Sequence, residues 1–224
     1  MMEVVEVSHR FGDREVLRGV DVTLQEDRVA IIGSNGSGKS TFARLLNGLV
    51  VPSDGDVRVD GLSTRRDGKA IRRRVGFVFQ NPDAQIVLPT VVEDVALGLR
   101  DRGLSPTEID ARVDATLAEY GLAGHRDHPA HLLSGGQKQL LAICSALILE
   151  PRYVVMDEPT TLLDHRNARA IIERITALRQ RVVVVTHDLD LARTCERVLV
   201  IDEGRIVADD APDRAIAAYF ETLV

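Results

Sequence analysis

The feature that most constrains this chain is a glycine-rich segment, residues 33–41, which reads Gly-Ser-Asn-Gly-Ser-Gly-Lys-Ser-Thr. It directly follows the apolar residues 29–32 and fits the phosphate-binding pattern G-x-x-x-x-G-K-[ST]. Gly36 and Gly38 permit backbone conformations that a Cβ atom would disfavour, so successive N–H groups can surround a phosphate. The segment therefore predicts a strand, a nucleotide-binding loop and a helix beginning near Lys39. The alternative is a chance glycine turn before a helix.

Composition narrows the class of protein. The chain has 224 residues, of which 45% are hydrophobic and 28% are charged, as in ordinary globular proteins. Its net charge of -6 provides no basic field for a nucleic-acid partner. The nearly apolar run 140–149 is too short for a membrane span, and the first residues lack a signal-peptide pattern. We therefore expect a cytoplasmic chain in which Cys144 and Cys195 are reduced structural thiols.

Apolar runs alternate with helical patterns through much of the chain, which predicts a mostly parallel sheet covered on both faces. Short strands over residues 3–7 and 20–24, on either side of a turn-rich stretch at 9–14, predict an antiparallel lobe at the N-terminus. Buried-type strands are predicted at residues 75–79, 153–156, 181–185 and 198–201, and helices at 90–100, 107–120, 136–149, 165–178 and 211–223.

Two carboxylates follow the apolar residues 153–156. Ligands bind at the carboxyl edge of open α/β sheets, so a strand of this kind delivers its acids to a binding edge. Asp157 is suited to hold Mg²⁺ through water, and Glu158 is suited to polarise an attacking water. Many buried strands end in acidic residues, so an apolar strand followed by two carboxylates indicates a nucleotide site only in combination with the glycine loop.

Residues 133–137 read Leu-Ser-Gly-Gly-Gln. Together with the glycine loop and residues 157–160, they resemble the ATP-binding-cassette (ABC) ATPases over essentially the whole chain. By itself Ser134 is a good helix N-cap. In the family, that helix end meets the γ-phosphate held by the glycine loop of the other subunit. The resemblance implies an ABC-type P-loop α/β fold in one domain, 1–224, with a core and antiparallel lobe at about 1–80 and 151–224 and a helical lobe at about 81–150.

Other site residues follow from the resemblance. Phe11, with Val16, corresponds to the aromatic that stacks on adenine; the alternative is a partly exposed aromatic in a turn. Gln80 corresponds to a contact to Mg²⁺ and water, and His187 to the histidine at the γ-phosphate. Asp164 is retained in a segment where Leu162 replaces a small residue. The expected set is catalytic Glu158, His187 and Gln80; Mg²⁺-binding Ser40, Gln80 and Asp157; and ATP-binding Phe11, Val16, Gly33, Ser34, Asn35, Gly36, Ser37, Gly38, Lys39, Ser40, Thr41, Ser134, Gly135, Gly136, Gln137 and Asp164.

Residues 80–95 resemble the energy-coupling-factor group of cobalt and vitamin importers, and residues 139–143 look most like the biotin-importer ATPase subunit. This implies ATP hydrolysis that powers uptake, with biotin as the favoured solute, at the cytoplasmic face of a bacterial membrane. The implied partners are a second ATPase subunit, in a homodimer, an integral membrane coupling protein and a substrate-binding membrane protein, with no nucleic acid. Residues 86–88 are suited to contact a coupling helix, or they simply pack the helical lobe.

Three rival interpretations remain at this point. Soluble ABC ATPases that act on DNA or ribosomes usually carry long coiled-coil insertions or tandem cassettes, which this sequence lacks. A nucleotide-switched module without hydrolysis would not need Glu158 and His187. The ATPase of a conventional ABC transporter usually adds a regulatory domain or fused membrane helices.

Overall fold

A computed structural model describes residues 1–222 of the chain. The strands are β1 (Met2–Phe11), β2 (Arg14–Leu24), β3 (Arg28–Ile32), β4 (Asp54–Val59), β5 (Leu62–Ser63), β6 (Val75–Val78), β7 (Tyr153–Asp157), β8 (Arg181–Val185), β9 (Arg197–Asp202) and β10 (Arg205–Asp210). The helices are α1 (Lys39–Asn47), α2 (Gly68–Arg72), α3 (Val91–Ala96), α4 (Pro106–Glu119), α5 (Gly135–Leu147), α6 (His165–Ala177), α7 (Leu189–Arg193) and α8 (Pro212–Glu221). The last residue of the predicted final helix, Leu223, lies outside the described residues.

The larger sheet has six strands in the order β10-β9-β3-β8-β7-β6. The five strands from β9 to β6 run parallel, and β10 joins the edge antiparallel to β9. Successive side chains of a strand point to opposite faces, and both faces of this sheet are covered. On one face Ala30 and Met156 belong to the core shared with the inserted helices and with α6, α7 and α8. On the other face Ile31 and Val155 pack with α1 and the smaller sheet.

The smaller sheet has four strands in the order β2-β1-β4-β5 and is antiparallel. The turn predicted at residues 9–14 is wrong in extent. Both strands continue into it, and Phe11 pairs with Arg14 at the end of a tight hairpin. Gly12 takes the left-handed conformation that this turn requires, with φ of 58°. The hairpin therefore places Phe11 and Arg14 opposite each other beside its turn.

The inserted lobe contains α3, α4 and α5, and each begins with a capping box. In a capping box the N-cap side chain and the residue three positions later satisfy each other's backbone N–H groups, which fixes where the helix begins. The single helix predicted over residues 90–100 is shorter than expected, because α3 ends at Ala96 and a 3₁₀ turn spans Leu97–Leu99. Within residues 1–222, no helix combines the length and apolar character that a bilayer span requires.

These observations confirm the predicted fold class: a mostly parallel sheet flanked by helices, an antiparallel lobe at the N-terminus and an inserted helical lobe. Because β3, β6, β7 and β8 are parallel, their carboxyl ends lie along one edge of the larger sheet. The segments that follow these four strands contain the glycine loop, Gln80, Glu158 and His187.

Candidate active site

A cavity of about 290 Å³ opens at this edge of the sheet. It lies between the β1–β2 hairpin, the glycine loop and the segments that follow β6 and β7. The residues that line it are Phe11, Arg14, Val16, Asn35, Gly36, Gly38, Lys39, Ser40, Thr41, Gln80 and Glu158. All but Arg14 are among the residues that the sequence predicts for nucleotide binding or catalysis. The fold thus brings these predicted residues together although up to 147 positions separate them.

Two glycines shape the loop. Gly38 has φ of 110°, and a Cβ atom there would lie 2.8 Å from the backbone oxygen of Val16, so no larger residue fits. Gly36 has φ of 81°, a left-handed conformation that glycine adopts without strain. Helix α1 then begins at Lys39 with no acidic residue in its first turn. Its unpaired N–H groups and positive dipole end favour an anion at this point.

Lys39 folds back on the loop. Its Nζ donates hydrogen bonds to the carbonyl oxygens of Gly33 and Ser34, both at 2.8 Å. The side chain is buried, and burial lowers the pKa of its ammonium group, while the carboxylates of Glu158 and Asp157 oppose that shift. A phosphate in the loop would bring the ammonium group a negative partner at a place where charge is costly to bury.

Ser40 and Asp157 meet at the base of the cavity. The Ser40 hydroxyl donates to Oδ1 of Asp157 at 2.9 Å. Asp157 is 1% exposed, and burial raises the pKa of its carboxyl despite this bond and a guanidinium nitrogen of Arg44 at 3.9 Å. A buried carboxylate whose pKa stays raised despite these neighbours is suited to receive a further cation.

The donor set fits Mg²⁺ in particular. A serine hydroxyl, a carboxylate and the amide oxygen of Gln80 are hard ligands, and Mg²⁺ typically binds one or two such groups together with substrate phosphates. Within residues 1–222 there is no cluster of three or more His, Cys, Asp or Glu that could hold a metal by itself. Ser40, Asp157 and Gln80 fit Mg²⁺ because their hard oxygens match its usual combination of a few protein ligands with substrate phosphates.

Glu158 and His187 form a pair beside the cavity. Nδ1 of His187 lies 2.7 Å from Oε2 of Glu158, which also accepts from the Thr161 hydroxyl at 3.0 Å and from the His187 backbone N–H at 3.3 Å. Among the described residues, Oε1 of Glu158 has no hydrogen-bond partner, and Glu158 lines the cavity. The backbone of Glu158 has φ of 51°, a strained conformation for a non-glycine residue that is common at functional sites.

Phe11 and Gln80 are two exposed side chains of the site. Phe11 is 53% exposed and packs edge-to-face on the buried ring of His9, with ring centroids 4.6 Å apart. An exposed aromatic face next to a phosphate-binding loop is suited to stack on a base. Gln80 is exposed and lines the cavity, so its amide is free to contact a ligand.

Some predicted residues lie outside the cavity wall. Gly33 and Ser37 shape the loop from behind: a Cβ on Gly33 would clash with the Ile201 carbonyl, and the buried Ser37 hydroxyl has no partner within the described residues. The Ser34 hydroxyl donates to Asp202 at 3.2 Å.

The four predicted residues at the start of α5 are also away from the cavity of their own chain. The Ser134 backbone N–H donates to Gln137 Oε1 at 2.9 Å, and the Gln137 N–H donates to the Ser134 hydroxyl at 3.4 Å. Ser134 and Gly135 are exposed, whereas Gly136 is buried against the Asn167 side chain. Asp164 is exposed and caps α6. The predicted site is thus in two parts within one chain.

Sequence reasoning missed Arg14. It occupies the stretch where a turn was predicted, and its register with Phe11 depends on the hairpin. The only signal was a basic residue three positions after the candidate base-stacking aromatic.

Comparisons with known proteins agree with this geometry. A family model described as ABC transporter matches residues 17–161. The chain is 56% identical over 223 residues to a Deinococcus radiodurans protein with the provisional name ABC transporter ATP-binding protein, with 100% of this chain and 99% of the relative covered. It is 49% identical to the biotin transport ATP-binding protein BioM of Rhizobium etli, with 94% of each chain covered. It is 46% identical to the energy-coupling factor transporter ATP-binding protein EcfA1 of Symbiobacterium thermophilum, with 94% of this chain and 79% of the relative covered.

Solved structures give the same result. CbiO1 of Clostridium perfringens, part of the ABC transporter complex CbiONQ, has a TM-score of 0.85 and 33% identity, with 100% of this chain and 93% of that chain covered. An ATP-binding cassette solved as a dimer in a post-hydrolysis state, bound to ADP and Pi, has a TM-score of 0.86 and 32% identity, with 95% and 99% covered. The chain belongs to the ABC transporter ATP-binding family, and within it to the ABC ATPases of energy-coupling-factor type.

Proposed function

We propose that this chain is the ATP-hydrolysing subunit of an energy-coupling-factor importer, and that it works as a dimer whose closure requires ATP. The observation that carries the proposal is the division of the site. The cavity holds a phosphate loop and a candidate catalytic carboxylate, while the Ser134 helix tip faces outward from the same chain.

Binding depends on the glycine loop. Its N–H groups, the start of α1 and the Lys39 ammonium would hold the β- and γ-phosphates, with Phe11 and Val16 against the adenine. Ser40, Asp157 and Gln80 would hold Mg²⁺, Asp157 through water. When bound, Mg²⁺ supplies positive charge that neutralises the phosphate oxygens during transfer.

Hydrolysis then depends on the pair beside the cavity. Phosphoryl transfer to water requires mainly positioning and charge stabilisation from the protein. The free Oε1 of Glu158 is suited to accept a proton from a water that attacks in line, while Thr161 and His187 fix the other carboxylate oxygen. His187 would contact the γ-phosphate once ATP has changed its contact with Glu158, so that one residue would serve the water and the other its target.

The partner subunit would complete the site. The capping box fixes the Ser134 tip, whose N–H groups and partial positive charge suit a γ-phosphate in the facing chain. Two large apolar side chains near this tip and near Asp164 are unusually exposed, Leu132 at 70% and Leu162 at 61%, which favours a protein contact here. ATP would then join two subunits, and its hydrolysis would release them.

The membrane partner would meet the segment that follows Gln80. Val87 is 65% exposed, and its backbone N–H donates to the buried Asp94 carboxylate at 2.8 Å. Leu88 donates to the same oxygen at 3.1 Å, so the segment is held with Val87 outward, whereas Ile86 packs on the inserted lobe. A rigid apolar contact next to a site residue is suited to transmit the state of the nucleotide.

Biotin is the cargo that we favour, although nothing in this chain would contact it. The relative BioM supports biotin, and CbiO1 and EcfA1 belong to the same wider group under other names. We propose that a separate membrane protein selects the solute and that the whole complex lies at the cytoplasmic face of the membrane.

Two measurements test the proposal. Glu158→Gln should bind ATP within a few-fold of the wild type yet lose at least 100-fold in turnover. Glu150→Gln is the matched control, because Glu150 also has a positive φ, 52°, but lies outside this cavity. Copurification from native membranes should recover integral membrane proteins. Wild-type turnover by Glu158→Gln would refute the catalytic role, and recovery of soluble partners alone would refute the transport role.

A further inference from the structure

We propose that Arg14 is a second phosphate-binding cation of the nucleotide site and makes affinity depend on the polyphosphate chain. This inference rests on the proposed ATP-binding function. Arg14 lines the 290 Å³ cavity together with Phe11 and the glycine loop. One of its guanidinium nitrogens lies 3.8 Å from the point where a Cβ on Gly36 would stand. Its charged end is therefore beside the part of the loop that would surround the phosphates.

The hairpin positions this side chain. Phe11 and Arg14 are directly paired across β1 and β2, with only Gly12 and Asp13 between them. Phe11 is suited to fix the base, and Arg14 extends from the adjacent strand toward Gly36. Base stacking and phosphate contact are thus joined in one short, hydrogen-bonded turn.

The guanidinium group of Arg14 is also available to bind a phosphate. Neighbouring Glu15 pairs with Arg10 at 3.4 Å and with Arg18 at 3.6 Å, and within residues 1–222 no carboxylate forms an ion pair with Arg14. An arginine with no carboxylate partner, exposed and next to a phosphate loop, can form paired hydrogen bonds to phosphate oxygens without first breaking a salt bridge.

The charge of the site favours such a role. Lys39 and Arg14 are the two cationic side chains that line the cavity, and Lys39 already donates to two loop carbonyls. Glu158 lines the same cavity, and the buried Asp157 lies directly behind Ser40. A triphosphate carries several negative charges, so a second cation at the open side would offset repulsion from these two carboxylates.

The test compares ligands that differ only in phosphate. Affinities of ATP and adenosine are measured by displacement of a fluorescent ATP analogue from the full chain. Arg14→Gln should raise the Kd of ATP about tenfold, as expected for loss of a charge-assisted contact that is partly exposed, and should leave the Kd of adenosine unchanged. Arg14→Lys should recover part of the loss. Arg10→Gln is the matched control, since Arg10 is on the same hairpin, pairs with Glu15 and lies outside the cavity.

Equal weakening of ATP and adenosine by Arg14→Gln would mean that the residue only supports the hairpin, and an unchanged ATP affinity would mean that it makes no contact. Either result overturns the inference while leaving the proposed function intact. Failure of the wild-type chain to bind ATP at all would overturn both.

Discussion

Nδ1 of His187 lies 2.7 Å from Oε2 of Glu158, so the two candidate catalytic residues contact each other directly. A carboxylate can only accept a hydrogen bond, so the contact puts the histidine proton on Nδ1 when Glu158 is ionised. Nε2 of a neutral ring is then an acceptor and cannot donate to a phosphate. For His187 to donate to the γ-phosphate, the ring must therefore become protonated or separate from Glu158. We therefore expect ATP binding to change the hydrogen bond between His187 and Glu158.

The first prediction concerns His187. His187→Ala should lower kcat by about 10²- to 10⁴-fold, the usual range for a group that assists proton transfer or holds the reacting phosphate. The affinity for ATP should change by only a few-fold, because the loop supplies most of the contacts. Steady-state ATPase assays and nucleotide titration measure both quantities. His128→Ala, on the exposed inserted lobe, should leave both unchanged; a wild-type kcat for His187→Ala would remove His187 from the mechanism.

The second prediction concerns the buried carboxylate. Burial raises the pKa of Asp157 above its ordinary value of 3.8, so the native chain holds this proton more tightly than the unfolded chain. Stability is therefore lost as pH rises from 3.8 through the native pKa, and the full loss is present above it. Asp157→Asn removes the free-energy cost of burying an ionised carboxylate. In nucleotide-free protein at pH 7, it should raise the free energy of unfolding by on the order of 1 kcal/mol and abolish most ATPase activity.

Thermal unfolding at pH 7 and at lower pH tests this prediction, because the stability gained by Asp157→Asn over the wild type should shrink as the pH falls. Asp164→Asn is an informative control, because this variant should be less stable than the wild type at pH 7. The backbone N–H of Asn167 donates to the Asp164 carboxylate and lowers its pKa. The negative charge of Asp164 therefore stabilises the native chain above pH 3.8. A lower Tm for Asp157→Asn than for the wild type at pH 7 would show that its charge is compensated in the nucleotide-free state.

The third prediction concerns the shared site. Ser134→Arg should bind one ATP per chain and yet remain monomeric, because a long cation at the start of α5 blocks the tip that meets the partner's phosphate. Gel filtration with ATP, in a Glu158→Gln background that slows turnover, measures the outcome. Ser105→Arg is the matched control, since Ser105 caps α4 with the same kind of capping box and is not among the predicted site residues. An ATP-dependent dimer of the Ser134 variant would count against the arrangement.

Much of the fold and of the candidate site could be predicted from sequence, because the decisive signals are local. An apolar strand followed by Gly36, Gly38 and Lys39 specifies a loop geometry, and Ser134 with Gln137 specifies a helix start. The parallel sheet follows from apolar strands that alternate with helices. Residues that follow those strands must then meet at one edge.

What sequence could not predict depends on tertiary pairing. The β1–β2 hairpin reaches Phe11 and Arg14 through polar residues that resemble a turn, and only the cross-strand register extends it. Strand β10 is half polar and forms because β9 offers an edge. The positive φ of Glu158 is imposed by its surroundings, since its N–H donates to the Val185 carbonyl at 2.9 Å while its side chain is fixed by His187.

Each nucleotide site should combine the loop of one chain with the Ser134 tip of another, and a mixture of two inactive variants would reveal such sharing. Lys39→Ala removes the loop function and Ser134→Arg removes the tip function, so ATPase activity should be near background for each alone. A mixed dimer contains one intact site, formed by the loop of the Ser134 variant and the tip of the Lys39 variant. We predict that the mixture hydrolyses ATP well above the sum of the two separate rates. A mixture whose rate stays at that sum would mean that the two chains do not share a nucleotide site.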